Sequence, residues 1–270
     1  MTNRTIGLTL LVCSMLWVSS CSEVGITGRK QLNFVPDSYM HSMSFKEYDS
    51  FIGSHTLSTD VEKTTMVKRV GRRIADAVTA YCSQHGCTED LEGYEWEFNL
   101  VDDPNVNAWC MPGGKVVVYT GLLPVAEDET GLAVVMGHEI AHAFAEHGAE
   151  RMSQQLVVMG GSIALDQATK EQSETNRAIF LMSYGAGSQL GILAYSRTHE
   201  SEADRLGLIF MSMAGYNPEA AIPFWQRMSA GKEGKAPPEF LSTHPSDQTR
   251  IDNIQRHLPE ARSYYRSAAN

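Results

Sequence analysis

The chain has 270 residues, with 22 Lys and Arg against 32 Asp and Glu, a formal net charge of −10. A hydrophobic fraction of 43% with 20% charged residues is ordinary globular composition and excludes disorder as the main state. The acidic balance, without any Lys/Arg-rich run, excludes nucleic acid as the main partner, and the glycines follow no repeat, which excludes collagen-like and solenoid architectures.

Residues 1–20 read as an export signal. Arg4 is the only charged side chain among them, Ile6 to Val18 are mostly apolar, and Ser19 and Ser20 are small. The apolar core is too short to span a bilayer comfortably. Val18-Ser19-Ser20-Cys21 resembles the bacterial lipoprotein signal, in which the cysteine is acylated and becomes the new N-terminus. Lipidation of Cys21 would anchor the chain to a membrane, and Ser22 after the cysteine implies the outer membrane of a Gram-negative bacterium, facing the periplasm. Export implies an oxidising compartment. A disulfide between Cys82 and Cys87, which flank Ser-Gln-His-Gly, is expected there; Cys110 stays open as an alternative partner, because sequence does not fix connectivity.

Residues 21–36 are predicted to be extended. Pro36-Asp37-Ser38 opens a helix to about Gly53, and Asp60 begins another in which Val61, Val67, Val70, Ile74 and Val78 recur at helical spacing up to Cys82. Residues 94–101 alternate as a strand. Asp102 to Asn105 make a turn, Asn107 to Met111 a short extended piece, and Pro112-Gly-Gly-Lys115 turns it into a third strand, Val116 to Thr120. The three strands are expected to form a small antiparallel sheet. Helices follow near 129–147, 149–165, 173–191, 194–214, 218–230 and 246–257, with residues 231–245 as a loop. The uncharged stretch 178–196 has the length of a membrane span. Ser183, Tyr184, Ser188, Gln189 and three glycines interrupt it, so a buried or gating segment is expected instead. The order of elements predicts an α+β fold, with residues 37–270 as a single domain after the 1–20 signal and the 21–36 extended segment.

Residues 138–142 are His-Glu-Ile-Ala-His. Two His at i and i+4 share one helix face, the separation two imidazoles need to bind one Zn²⁺ at about 2.0–2.1 Å each. Glu139 lies about 100° round the helix, able to reach a metal-activated water without ligating. Burying two His and a Glu in so apolar a helix is costly unless something pairs with them. A catalytic zinc needs a third ligand. Downstream, Glu200 and Asp204 are again i and i+4: Glu200 can ligate while Asp204 accepts an N–H from a ligand His. Glu202 and His199 are rivals for the third position, and periodicity does not decide among them.

His138-Glu-x-x-His142 followed by Glu200-x-x-x-Asp204 resembles the HtpX/BepA/LoiP group of zinc metallopeptidases, to whose broader family the prenyl-protein endopeptidases belong. The resemblance extends to Asn107-Ala-Trp-x-x-Pro-Gly-Gly114, Thr120-Gly-Leu-Leu123 and Ser242-Thr-His-Pro245, and so covers residues 28–257. It implies a zincin-like, mainly helical metallopeptidase domain with its sheet beside the His-Glu-x-x-His helix, one Zn²⁺ per chain, and Glu200 as third ligand. It also implies quality control of misfolded or unassembled envelope proteins. The absence of a convincing set of membrane spans favours the periplasmic lipoprotein branch.

In the expected reaction Glu139 is the general base and then the acid that protonates the leaving amine. The oxyanion needs a further partner; His244 and Arg250 are the candidates, with Tyr195 a weaker one. His244 can instead cap the metal as a fourth ligand. His147 is expected to point elsewhere, in a structural role. Substrate peptide is expected on an edge strand at Asn107 to Met111, which places Asn107 and Trp109 in binding, although Trp109 suits a core hairpin almost equally well. The expected partners are protein or peptide substrates, outer-membrane assembly machinery, and a membrane through the N-terminal lipid. The competing expectation is a non-proteolytic chaperone or assembly factor that keeps the zinc fold.

Overall fold

The structure is a computed structural model, and it describes residues 21–230, 239–244 and 248–269. The signal expected over residues 1–20, the side chain of Cys21 and the glycine- and proline-rich part of the 231–245 loop lie outside the described residues. In chain order the elements are β1 (Cys21–Glu23), β2 (Lys30–Leu32), α1 (Asp37–Ser54), α2 (Val61–His85), β3 (Glu97–Val101), β4 (Ala108–Met111), β5 (Lys115–Tyr119), α3 (Leu123–Ala126), α4 (Glu129–Phe144), α5 (His147–Ala168), α6 (Glu174–Met213), α7 (Ala221–Ala230), α8 (Glu239–Thr243) and α9 (Gln248–Ala269). The class is the expected one, mainly helical α+β. The described residues divide into two compact units, one of residues 21–37 with 148–196, the other of residues 38–147 with those described from 197 to 269. Residues 37–270, expected as one domain, contribute to both.

The second unit is built on the sheet β3-β5-β4. The sheet is mixed, not wholly antiparallel as expected. β5 runs antiparallel to β4 (Ala108↔Val118) but parallel to β3 (Phe98↔Val116). The reason lies in β5 itself. All five of its residues are buried, so it takes the central position, and the Gly113-Gly114 turn at φ 85° and 88° folds β4 onto one side of it. β3 is left for the other side. α2 packs on β3 through Val67, Val70, Ile74 and Val78, the stripe read from sequence, and α4 packs on α2 and β4.

Two helix expectations fail on the long side. The predicted pair 173–191 and 194–214 is the single helix α6. Glycine costs a helix about 1 kcal/mol each, and with no proline near, that is too little to break it. The last helix runs on through Pro259 to Ala269, because Ile254, Leu258 and Ala261 continue one buried stripe across the proline.

The first unit joins the β1–β2 pair to α5 and the first part of α6. Arg29 forms an ion pair with Glu150 at 2.9 Å, and Phe34 N donates to Ser153 Oγ at 3.2 Å. The 178–196 stretch within it is not buried as expected. It is exposed along most of its length, with Met182 at 74% and Leu190 at 69%.

Candidate metal centre

α4 begins where Asp128 accepts hydrogen bonds from Thr130 N at 2.8 Å and Gly131 N at 2.9 Å. Nearly every residue after that is buried, including His138 and Glu139. The two imidazoles one turn apart converge, with His142 Nε2 3.1 Å from His138 Nε2. Glu200 arrives from α6. Its Oε2 is 3.4 Å from His138 Nε2 and its Oε1 is 3.3 Å from His142 Nε2. Gly137 and Gly207 make that approach possible: a Cβ on Gly137 would lie 2.8 Å from Gly207 O, and one on Gly207 2.8 Å from His138 N. The two helix backbones therefore touch one residue before His138 and three after Asp204.

A fourth side chain completes the cluster. His244, in the bend after α8, places Nδ1 3.0 Å from both Glu200 oxygens and 3.2 Å from His138 Nε2. One ligand atom from each of His138, His142, Glu200 and His244 lies within 4.8 Å of the other three. A tetrahedral zinc with bonds of about 2.0–2.1 Å has donor–donor edges of about 3.3 Å. The five pairs measured here span 3.0 to 3.4 Å. Glu139 adds an independent sign. Its buried Oε1 has no hydrogen-bond partner among the described residues and lies 3.6 Å from His244 Nε2. Donor chemistry and spacing fit zinc, and the unpartnered Glu139 oxygen lies beside the cluster.

Burial raises the Glu139 pKa, against the pull of His244 and His138. Burial also drives His142 well below its usual value, so its imidazole is neutral, as a metal ligand must be. At Glu200 the penalty of burial is outweighed by the close imidazoles of His138, His142 and His244, which hold the carboxyl far below the usual carboxylate range. His138 is the opposite case. Burial and Arg250 push it down, but hydrogen bonds to Asp204 and Glu200 prevail and raise it to about 9.

Two outer carboxylates fix the rings. Asp204 Oδ1 lies 2.9 Å from His138 Nδ1 and accepts from Arg250 Nη2 at 2.6 Å. Arg250, buried with its guanidinium 3.5 Å from the centre of the Trp225 ring, also donates to the His244 carbonyl. Its Nη2 lies 3.1 Å from His138 Nδ1 and its Nη1 3.5 Å from Glu200 Oε2, so it is bound in beside the donor cluster. His147 does not point elsewhere, as expected, but meets His142: the two Nδ1 atoms are 2.8 Å apart, and His147 Nε2 is 3.0 Å from Glu202 Oε2. The expectation rests on a helix continuing to residue 147. α4 instead ends at Phe144, and Glu146 at φ 52° turns the chain back. Glu202 is thus an outer anchor. His199 stacks on His147 at 4.2 Å, and neither residue is in the four-donor cluster.

The remaining candidates are not among the four donors. β4 is an edge strand of the three-stranded sheet, but the Trp109 ring packs edge-on against Phe51 and Tyr48, at 4.9 and 6.3 Å, in a side core. The Asn107 side chain accepts from Ala108 N. Tyr195 belongs to the first unit and is half exposed. Cys82 and Cys87 form a disulfide and Cys110 is free.

Sequence comparison adds relatives. The profile of Peptidase family M48 matches residues 62–258. The mitochondrial metalloendopeptidase OMA1 of Schizosaccharomyces pombe is 36% identical over 243 residues, covering 88% of this chain and 66% of that protein. The human mitochondrial metalloendopeptidase OMA1 is 30% identical over 246 residues, 87% of this chain and 45% of its own length. The beta-barrel assembly-enhancing protease of Yersinia pestis is 32% identical over 168 residues, 59% of this chain and 34% of its own. The chain thus spans between about a third and two thirds of these relatives.

Proposed function

Because the chain belongs to peptidase family M48, we propose that it is a zinc-dependent endopeptidase hydrolysing peptide bonds of misfolded or unassembled proteins. The observation that carries this is the convergence of His138, His142 and Glu200 beside the buried Glu139 carboxylate. These three residues would hold a zinc, which would supply the positive charge that activates water and polarises the scissile carbonyl. Glu139 takes the proton from the attacking water and returns it to the leaving amine. Its burial raises its basicity, which suits that exchange near neutral pH. Asp204, held by Arg250, and His147, held by Glu202, keep both imidazoles aimed inward. An extended substrate adds to the β4 edge.

His244 stands in the fourth corner, where a hydrolytic zinc keeps an open position. In our reading this is a closed arrangement, and the bend carrying His244 withdraws when substrate binds. The same observation favours a second reading, a non-proteolytic chaperone or assembly factor with a permanently capped site.

The compartment we propose is the periplasm, the chain being cleaved after residue 20 and lipid-anchored at Cys21 to the outer membrane. Val18-Ser-Ser-Cys21, the Cys82–Cys87 disulfide and the likeness to a bacterial beta-barrel assembly-enhancing protease support it. That relative's name also points to outer-membrane assembly machinery as a partner. The OMA1 relatives, mitochondrial by name, share the peptidase region.

The test is metal analysis joined to casein cleavage. One zinc per chain, with cleavage lost to a chelator and restored by zinc, supports the proposal. Stoichiometric zinc without cleavage, together with client rescue in cells that survives Glu139→Gln, supports the second reading.

A further inference from the structure

The first unit contains an exposed two-helix hairpin whose composition suits lipid better than water. From Met152 to Leu165 in α5 and from Ala178 to Ser196 in α6 the sequence carries no charged residue. The longer run, 19 residues at 1.5 Å each, is about 28 Å long, against about 30 Å for the hydrocarbon core of a bilayer. Its most apolar window is 0% buried. Between residues 154 and 196 only Thr169 is buried.

The two helices meet along a seam. Val158, Gly161 and Leu165 are half-buried on α5, as are Leu181, Tyr184 and Ser188 on α6. Tyr184 donates to the Val158 carbonyl at 3.1 Å. At about 100° per residue, the exposed Leu156, Met159 and Ile163 fall on the side of α5 opposite its seam, and the exposed Met182, Leu190 and Leu193 opposite the seam of α6. The apolar stripes thus lie on the two outer edges of the hairpin, facing away from each other. A second copy or a partner helix docked on one side covers one stripe; only a medium that surrounds the hairpin covers both. Charge is confined to the ends, with Asp166 paired to Arg177 at the turn and Arg29 to Glu150 at the base.

The chain outside the described residues points the same way. The apolar run Ile6 to Val18 leads into Cys21, where β1 pairs with β2 (Cys21↔Leu32), and Leu32 N donates to Glu150 Oε1 at 3.4 Å. The base of the hairpin is therefore tied to the segment that directly follows this apolar run.

We propose that the α5–α6 hairpin inserts among the acyl chains of a lipid bilayer, as a second membrane contact in addition to the N-terminus. This stands apart from the peptidase reading and from acylation of Cys21. The test uses the full chain in vesicles of phosphatidylethanolamine and phosphatidylglycerol, with Cys110→Ala as background. Nitroxide labels are placed at Met182→Cys and Leu190→Cys, with Val61→Cys, 78% exposed in the second unit, as control. At 182 and 190 the label should collide with oxygen several-fold more often, relative to an aqueous nickel chelate, than at 61. Equal accessibility at all three sites on vesicle-bound protein overturns the hairpin contact while leaving the N-terminal anchor standing. Dipolar broadening between labels on two chains overturns it in favour of self-association. Failure of the chain to bind vesicles overturns both. As a second arm, Met182→Glu with Leu190→Glu, at unchanged helix and zinc content, should raise vesicle release by salt-free wash at least tenfold; no increase counts against the proposal.

Discussion

His147 stands between a metal-facing imidazole and a carboxylate: its Nδ1 is 2.8 Å from His142 Nδ1 and its Nε2 is 3.0 Å from Glu202 Oε2. The pattern fixes the protons. The Glu202 carboxylate accepts from His147 Nε2–H, the bare Nδ1 of His147 accepts from His142 Nδ1–H, and the His142 Nε2 lone pair is left facing the donor cluster. His147→Ala should weaken zinc affinity about 10–100-fold without unfolding the protein, the usual cost of losing such a support. Competition with a chromophoric chelator measures it. Wild-type affinity in the variant would mean that the relay does nothing for the metal.

The contact between Gly137 and Gly207 sets the distance between the two halves of the site. A methyl on Gly207 would come within 2.8 Å of His138 N and 3.0 Å of its Cα, both backbone atoms that cannot swing aside. Gly207→Ala should cost about 1–3 kcal/mol of stability, as overpacking does, and lower zinc affinity by moving Glu200 away from His138. Urea unfolding with and without zinc separates the two effects.

Removal of the metal should give a distinctive pH dependence. His138 in the folded chain has its pKa raised to about 9 by Asp204 and Glu200, against burial and Arg250. A raised folded pKa gives stability that is complete below the unfolded value near 6.5 and is lost as pH rises through about 9. The chelated protein should therefore melt at progressively lower temperature between these two values. Zinc must displace the same proton, so its affinity should rise with pH over that range, by about tenfold per unit at most, with proton release visible in calorimetry. A pH-independent zinc affinity would contradict the assignment.

His244 fills the fourth corner of the donor cluster. If it closes the site, His244→Ala should keep zinc near stoichiometric and raise casein cleavage. If instead it is needed to stabilise the oxyanion, the same variant should lose about 10²–10³ in kcat, the usual cost of one donor. The two outcomes have opposite signs in a single assay.

Much of this site is legible in the sequence because helical spacing is rigid: residues i and i+4 share a face whatever the fold, so spacing alone pairs His138 with His142 and Glu200 with Asp204. The strands follow from alternation and the Gly113-Gly114 turn. Three things are not legible, each for a physical reason. The parallel β3–β5 pairing depends on which strand is most buried, a tertiary property. The place of His147 depends on where α4 ends, and that end rests on a non-glycine residue, Glu146, at φ 52°, which carries no strong sequence signal. The 178–196 stretch reads as buried because an apolar run resembles a core segment, whereas exposure is decided by what packs against it.

The central claim is that Glu139 moves the proton while other side chains hold the metal. Zinc content and casein cleavage measured side by side for the wild type and Glu139→Gln test it most directly. The account predicts equal zinc in both proteins and a fall of about 10²–10⁴ in kcat/KM for the variant. Cleavage by Glu139→Gln at the wild-type rate would contradict it.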